Sequence, residues 1–187
     1  MNYGKMGEKE KQQLVQEVNL LQKLRHPHIV RYYDRIIDRE NTTLYIVMEY
    51  CEGGDLATLI KKCRKERYIV DKVWNSKTIS SRTYIDEEVI WKIAAQLVLA
   101  LAEIHKRKDG VILHRDIKPG NIFLDSEKNV KLGDFGLARV LGKDSLFANT
   151  YVGTPYYMSP EQISGSPYNE KCDIWSFGCL LYEMAGL

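Results

Sequence analysis

Residues 113–136 read Leu-His-Arg-Asp-Ile-Lys-Pro-Gly-Asn-Ile-Phe-Leu-Asp-Ser-Glu-Lys-Asn-Val-Lys-Leu-Gly-Asp-Phe-Gly. Two acidic residues, Asp116 and Asp134, stand among basic and amide side chains and between apolar runs. Residues 111–113, 122–124 and 130–132 are apolar and bounded by turn formers, which predicts short buried strands. The polar residues between them fall on connecting turns, where binding and catalytic groups concentrate. A His-Arg-Asp triplet, an Asn five positions after its Asp, and an Asp-Phe-Gly triplet follow in that order, each on a strand-turn. A solvated polar turn between core strands requires none of this spacing.

Working outward, a polar segment and then an apolar one follow the central stretch. Residues 137–152 are polar and carry Ser145, Thr150 and Tyr151, and Val-Gly-Thr-Pro-Tyr-Tyr-Met-Ser-Pro-Glu occupies 152–161. Residues 168–187, with Asp173 near their start, read as an apolar helix. On the other side of the central stretch, Asp86 has the character of an N-cap, followed by Glu87 and Glu88. Ile90, Ile93, Ala94, Leu97, Leu101 and Ile104 then mark one face of a long helix, with His105 near its end in a structural role. Residues 8–25 are predicted helical: Leu14, Val18 and Leu21 recur at i, i+4, i+7, Leu20 and Leu24 widen the stripe, Glu17 edges it, and Pro27 ends it. Residues 29–37 and 43–50 are rich in Val, Ile and Tyr and read as an antiparallel hairpin. The second strand runs out through Met48, Glu49, Tyr50 and Cys51 to a Gly53-Gly54 turn, and a short helix is predicted over 56–62. Residues 68–83 hold no sustained period and read as an insertion outside the core. They offer too little apolar burial to offset an ordering cost of roughly 1–2 kcal/mol per residue.

Composition narrows the class. A chain of 187 residues suits one domain with a sizeable core. With 44% hydrophobic and 28% charged residues it fits an ordinary globular protein. A net charge of +2 supplies no drive toward nucleic acid or membrane, and neither is expected as a partner. Cys51, Cys63, Cys172 and Cys179 form no Cys-x-x-Cys pair and have no His at ligand spacing, which argues against zinc and for a reducing compartment. The first ten residues are polar and lack the apolar core of a signal peptide, and no stretch is apolar enough to span a bilayer. A cytoplasmic or nuclear protein is expected.

Taken together, these motifs resemble the catalytic loop, metal-binding loop, hinge and activation segment of protein kinases, and specifically the NIMA-related serine/threonine family. Residues 9–67 and 84–187 carry the resemblance. It implies an α+β, two-lobed kinase fold that is partial: residues 1–52 as a remnant upper lobe (one helix and about two strands) plus hinge, and 53–187 as a mainly helical lower lobe. It implies ATP and Mg2+ as cosubstrate and cofactor, and a protein with a Ser/Thr acceptor as substrate. Asp116 would accept or orient the proton of the attacking hydroxyl, and Lys118 would place a positive charge near the transferred phosphoryl oxygens. Asn121 and Asp134 offer the hard oxygen ligands that magnesium prefers, with Phe135 fixing how Asp134 points. The backbone at Glu49 and Cys51 would hydrogen-bond adenine, Met48 would guard the back of the pocket and Phe123 would floor it. Glu17 matches the helix glutamate that pairs with a lysine on the preceding strand. Arg115 would pair with phosphate on Thr150, whereas Thr154 would hydrogen-bond near Asp116. Lys118 and Gly153-Thr154 favour serine/threonine over tyrosine acceptors, and the residue matching Asp173 bonds the catalytic-loop backbone. The family works in mitosis, at centrosomes or in cilia, which implies cytoplasmic, centrosomal or nuclear localisation.

Three departures qualify the match. The thirteen glycines never form Gly-x-Gly-x-x-Gly, and the chain is read as beginning just past the strand with the ATP-binding lysine. Residues 68–83 have no counterpart. The chain is read as stopping at the anchoring helix, short of the arginine that pairs with Glu161 and of the coiled-coil tail that a homodimer would need. Tyr32, Leu44 and Ile46, which the missing strands would cover, are therefore expected to be left more exposed. Two functions stay open: an ATP-dependent phosphotransferase, and a catalytically silent interaction module. Intact Asp116, Lys118, Asn121 and Asp134 favour the first, and the missing loop and lysine favour the second. Nucleotide binding with and without magnesium separates them.

Overall fold

The apolar stripe of the first helical segment folds as α1 (Glu8–Lys23), with Glu8 and Glu10 in its first turn and Lys23 in its last, as the helix dipole favours. The computed structural model describes residues 2–72, 84–141, 147–148, 150 and 152–186, without the side chains of Lys9, Gln13, Gln16, Glu17 and residues 66–72. Leu14, Val18, Leu21 and Leu24 are buried along one side of the helix. Two strands follow as an antiparallel pair, β1 (Tyr32–Asp38) and β2 (Thr43–Met48), with Ile36 opposite Tyr45.

The hairpin is only partly covered. Tyr32, Leu44 and Ile46 are half-buried, whereas Tyr33, Ile37, Tyr45 and Val47 are exposed. Tyr32 packs on the main core and its hydroxyl accepts from Gln22 Nε2 at 3.3 Å. Leu44 and Ile46 line the cleft described below. Ile36 is exposed as well, so every residue of β1 from Tyr33 to Ile37 meets water.

After the Gly53-Gly54 turn, α2 (Leu56–Lys72) runs ten residues past the predicted end at 62 and into the segment read as an insertion from 68. The run from Lys61 to Arg67 is rich in Lys, Arg and Glu, all strong helix formers, and contains no Gly or Pro to stop it. The remainder of that insertion, 73–83, lies outside the described residues. α3 (Glu87–His105) starts at Asp86, whose side chain makes no capping bond, and buries Ile93, Ala94, Leu97, Ala100, Leu101 and Ile104.

Three short strand pairs, the hairpin among them, then position the turns. β3 (Val111–Leu113) pairs with β6 (Arg139–Leu141), and β4 (Ile122–Leu124) pairs with β5 (Val130–Leu132), both antiparallel. α4 (Pro160–Ile163) is a single turn closed by Ser159 and Gln162 in a capping box, and α5 (Lys171–Ala185) completes the fold. One core cluster joins Leu21, Leu24 and Ile29 to Leu56, Leu97, Leu101, Ile104, Ile117, Leu132, Phe135 and Leu180. Burying each such side chain contributes about 1.5–3 kcal/mol, so the turns between these strands hang from a rigid frame. The hairpin is tied to that frame by backbone bonds: Val30 N donates to Leu132 O at 2.9 Å, and Leu132 N to His28 O at 2.8 Å. Gly53 permits a further tie. Its N–H donates to Leu124 O at 2.8 Å, and a Cβ there would lie 2.6 Å from Asp125 O.

Candidate active site

β3 delivers His114, Arg115 and Asp116 to a turn whose backbone is held from the opposite side of the core. Asp173, fully buried at the start of α5, accepts from His114 N–H (2.9 Å) on one oxygen and from Arg115 N–H (2.8 Å) on the other. The His105 ring at the end of α3 meets the same carboxylate at 2.8 Å. Burial alone would raise the Asp173 carboxyl, but His105, His114 and the Arg115 amide hold it below the ordinary carboxylate value. The clamp supports an uncommon backbone, because Arg115 sits at φ 68° and Asp134 at φ 56°, both in the left-handed region. Gly153 at φ 122° lets the following segment approach, since a Cβ there would lie 2.6 Å from Arg115 O.

His114 is also fully buried, with its ring edge-on to Phe135 at 4.8 Å and Nε2 3.0 Å from Gly133 O. Burial holds its pKa below the ordinary 6.5. The unfolded chain takes up this proton near 6.5 and the folded chain does not, so stability should fall as pH drops through that value. The slope per proton is about 1.4 kcal/mol per pH unit. Asp173, depressed in the fold, adds a loss of the same sign at more acidic pH. Urea midpoints at pH 7.5 and 5.5 should differ accordingly, and less so in His114→Phe. Equal midpoints in the native protein would exclude a buried neutral His114.

Around Asp116 the side chains close a ring. Lys118 Nζ donates to Asp116 Oδ2 (2.7 Å) and to Thr154 Oγ1 (3.0 Å), and Thr154 Oγ1 donates to Asp116 Oδ1 (2.7 Å). Asn121 Nδ2 donates to Asp116 O (2.8 Å) and Oδ2 (3.0 Å). Burial pushes the Asp116 carboxyl up, but Lys118, Thr154 and Asn121 together bring it below the usual carboxylate range. Asp116 is therefore an ionised acceptor at neutral pH.

Next to this ring lies a cleft of about 920 Å3, lined among others by Val30, Met48, Phe123, Asn121 and Asp134. Its volume and apolar walls suit a nucleotide-sized ligand. Glu49 and Cys51 form its rim. Glu49 N–H is spent on Arg31 O at 2.8 Å, but among the described residues no partner takes Glu49 O or Cys51 N–H. The Glu49 side chain is turned aside by Lys131, 2.6 Å away. Burial, then Glu49, pushes the Cys51 thiol up, so it stays protonated.

Magnesium fits this donor set. Among the described residues no group of three His, Cys, Asp or Glu could hold a metal ion. Magnesium needs no such cage, because it is commonly held by one or two protein oxygens plus waters and substrate phosphates. Asn121 spends its nitrogen on Asp116, which leaves its oxygen available among the described residues, and Asp134 is exposed, with a 3.4 Å contact from Gly136 N–H. Both line the cleft. Glu17 lies in α1, and its side chain is outside what the structure describes.

A second polar cluster forms on the other side of Arg115. Its Nε donates to Leu137 O (2.6 Å), and its Nη1 reaches Thr150 Oγ1 (3.2 Å) and Tyr168 Oη (3.3 Å). Arg139 Nη1 lies 3.5 Å from the same threonine oxygen, and Tyr168 Oη donates to Thr150 O at 2.8 Å. Sequence reasoning missed Arg139, Tyr168 and Lys131. The only local signal was the placement of Arg139 shortly after the Asp-Phe-Gly triplet.

Residues 1–186 match the family model for the protein kinase domain. The chain belongs to the protein kinase family. Within it the chain is NIMA-related: it is 64% identical over 185 residues to the probable serine/threonine-protein kinase nek2 of Dictyostelium discoideum, covering 99% of this chain and 40% of that protein. It is 61% identical over 189 residues to serine/threonine-protein kinase Nek2 of Homo sapiens, covering 100% and 39%. The G2-specific protein kinase nimA of Emericella nidulans is 40% identical over 208 residues, covering 98% and 28%. This kinase chain thus spans about two fifths of the length of the first two relatives.

Proposed function

We propose that the protein transfers the γ-phosphoryl group of ATP to serine or threonine hydroxyls of proteins. The observation that carries this reading is the Asp116–Lys118–Thr154–Asn121 ring set directly against a cleft that also holds Asp134. Residues 1–52 would supply the upper wall and hinge, and 53–187 the floor and catalytic turn. Adenine would take Glu49 O and Cys51 N–H, with Met48 behind it and Phe123 beneath. Glu17 would pair with a lysine, as it does across the family. When bound at Asp134 and Asn121, magnesium would neutralise charge on the phosphate oxygens. The acceptor hydroxyl, oriented by Asp116, attacks the γ-phosphorus as the bond to the bridging oxygen breaks and ADP departs with that electron pair. Lys118 stabilises the charge spread over the phosphoryl oxygens, the main catalytic need of this reaction.

Transfer of labelled phosphate from ATP to serine and threonine peptides by the full-length protein, dependent on magnesium, tests this. No transfer by protein that is folded and binds ATP would reject it. The names of two relatives as G2-specific kinases support a place in the cell cycle, in cytoplasm, nucleus or at centrosomes.

Thr150 would be the regulatory acceptor. A phosphate there meets Arg115 and Arg139, and each charge-assisted bond is strong enough to order the segment. Thr150→Ala should lower activity by about ten-fold, equivalent to one lost charge-assisted hydrogen bond. Full activity and full activation kinetics in this variant, measured after incubation with ATP, would remove Thr150 from the role.

A further inference from the structure

We propose that the outward face of α3 joins two copies of the protein in an antiparallel, two-fold contact centred between Ala95 and Val98. The proposal goes beyond the catalytic reading and does not rest on it, since no residue of this face lines the nucleotide cleft. The inner face of α3 carries the core, yet the outer face is apolar too. Trp91, Ala95, Val98 and Leu99 are exposed there, and Ala102 is half-buried. Trp91 is 66% exposed, and a contiguous apolar patch built around such a side chain marks an interaction site more than a solvated helix face. Trp91, Ala95, Val98 and Ala102 follow one another at spacings of four, three and four, the period of a two-helix seam.

A second copy is the occupant because the face complements itself. Turned end over end about the point between Gln96 and Leu97, Trp91 falls opposite Ala102 of the second copy, and Ala95 falls opposite its Val98. Each larger side chain thus meets a small one, which lets the two axes approach to about 8–10 Å. The ends match in charge as well. Glu88 and Lys106 lie about five helical turns apart and so on one flank of the seam, and neither forms an ion pair among the described residues. In the antiparallel arrangement each Glu88 meets Lys106 of the other copy, twice by symmetry. A parallel arrangement would set Glu88 against Glu88 and Trp91 against Trp91. A recess of about 330 Å3, lined by Ala102, Glu103 and Lys106 among others, lies where the second indole arrives. Trp91 is aimed at it: its Nε1 donates to Glu87 Oε1 at 3.1 Å, which leans the ring toward the start of its own helix and hence toward Lys106 of the second copy. From Trp91 to Ala102 the seam is about 17 Å long, which places the contact in the transient class, below roughly 1,200 Å2.

The test uses the full-length protein in two lots that differ in tag size, one carrying Ala95→Cys and the other Val98→Cys, mixed under mild oxidation. A disulfide-linked heterodimer should form faster than in native protein and faster than in a mixture of Lys92→Cys with Val98→Cys. Lys92 is the control because its amine points away from the seam, donating to Glu127 O at 3.2 Å. Adding Trp91→Glu to both lots should slow the cross-link about ten-fold or more, as expected of an aromatic anchor. Glu88→Lys in both lots should slow it about five-fold, the scale of two exposed ion pairs, and Glu88→Lys combined with Lys106→Glu should recover the rate. Thermal melting confirms that each variant is folded, and if Trp91→Glu is not, the charge exchange decides alone. Absence of the cross-link overturns the proposal, whether the face is then free or covered by another segment or another partner. So does a rate unchanged in folded Trp91→Glu, or one that the charge exchange fails to recover.

Discussion

Asp116→Asn is expected to lower kcat for phosphoryl transfer by about 10²–10⁴-fold, the range for loss of a positioned general base. The KM for ATP should change little, because Asp116 does not line the nucleotide cleft. The amide has nearly the shape of the carboxylate, so the fold is preserved. What is lost is an anion that three donors now share: Lys118, Asn121 and Thr154. An amide nitrogen in place of either oxygen would face a donor, and Lys118 would lose its counter-ion. Steady-state kinetics on the full-length protein measure this. A fall in kcat of less than ten-fold would mean that the hydroxyl is oriented by another group.

Asp173→Ala should cost about 3–5 kcal/mol of stability, the range for removing one partner of a buried charged network. The carboxylate is fully buried and serves the amides of His114 and Arg115 and the His105 ring, with a weaker contact from the Cys172 thiol at 3.9 Å. Its removal leaves these donors without their acceptor in a buried site. Activity should fall as well, since Arg115 holds its left-handed conformation against this clamp. Urea denaturation gives the stability change. Asp173→Asn, which retains two acceptor-sized atoms, should lose less. A loss below about 1 kcal/mol for the alanine variant would show that the clamp is incidental.

What the sequence disclosed, and what it hid, follows from the range of the interactions. The apolar periods of α1, α3 and α5 are local, and so is the spacing that places Asp116, Lys118 and Asn121 within one network. The α+β kinase fold was legible on that basis. The end of α2 was misjudged because aperiodic apolar content was weighed above the helix propensity of the Lys/Arg/Glu run. On the hairpin, Tyr32 packs on the core while Leu44 and Ile46 face the cleft, contacts that exist only in the fold. Arg64 and Glu183 are 119 residues apart, and Arg139 reaches Thr150 only once β6 has paired with β3. No short window of sequence contains those pairs.

The three hydrogen bonds donated to Asp116 also set an order of events. A carboxylate stabilised in its charged form is a poor base, and no serine or threonine hydroxyl in its ground state would surrender a proton to it. That same hydroxyl becomes strongly acidic once its oxygen has begun to bond to phosphorus. On the proposed reading, Asp116 would act first as a guide for the lone pair and only afterwards as a proton acceptor, so that nucleophilic attack would run ahead of deprotonation.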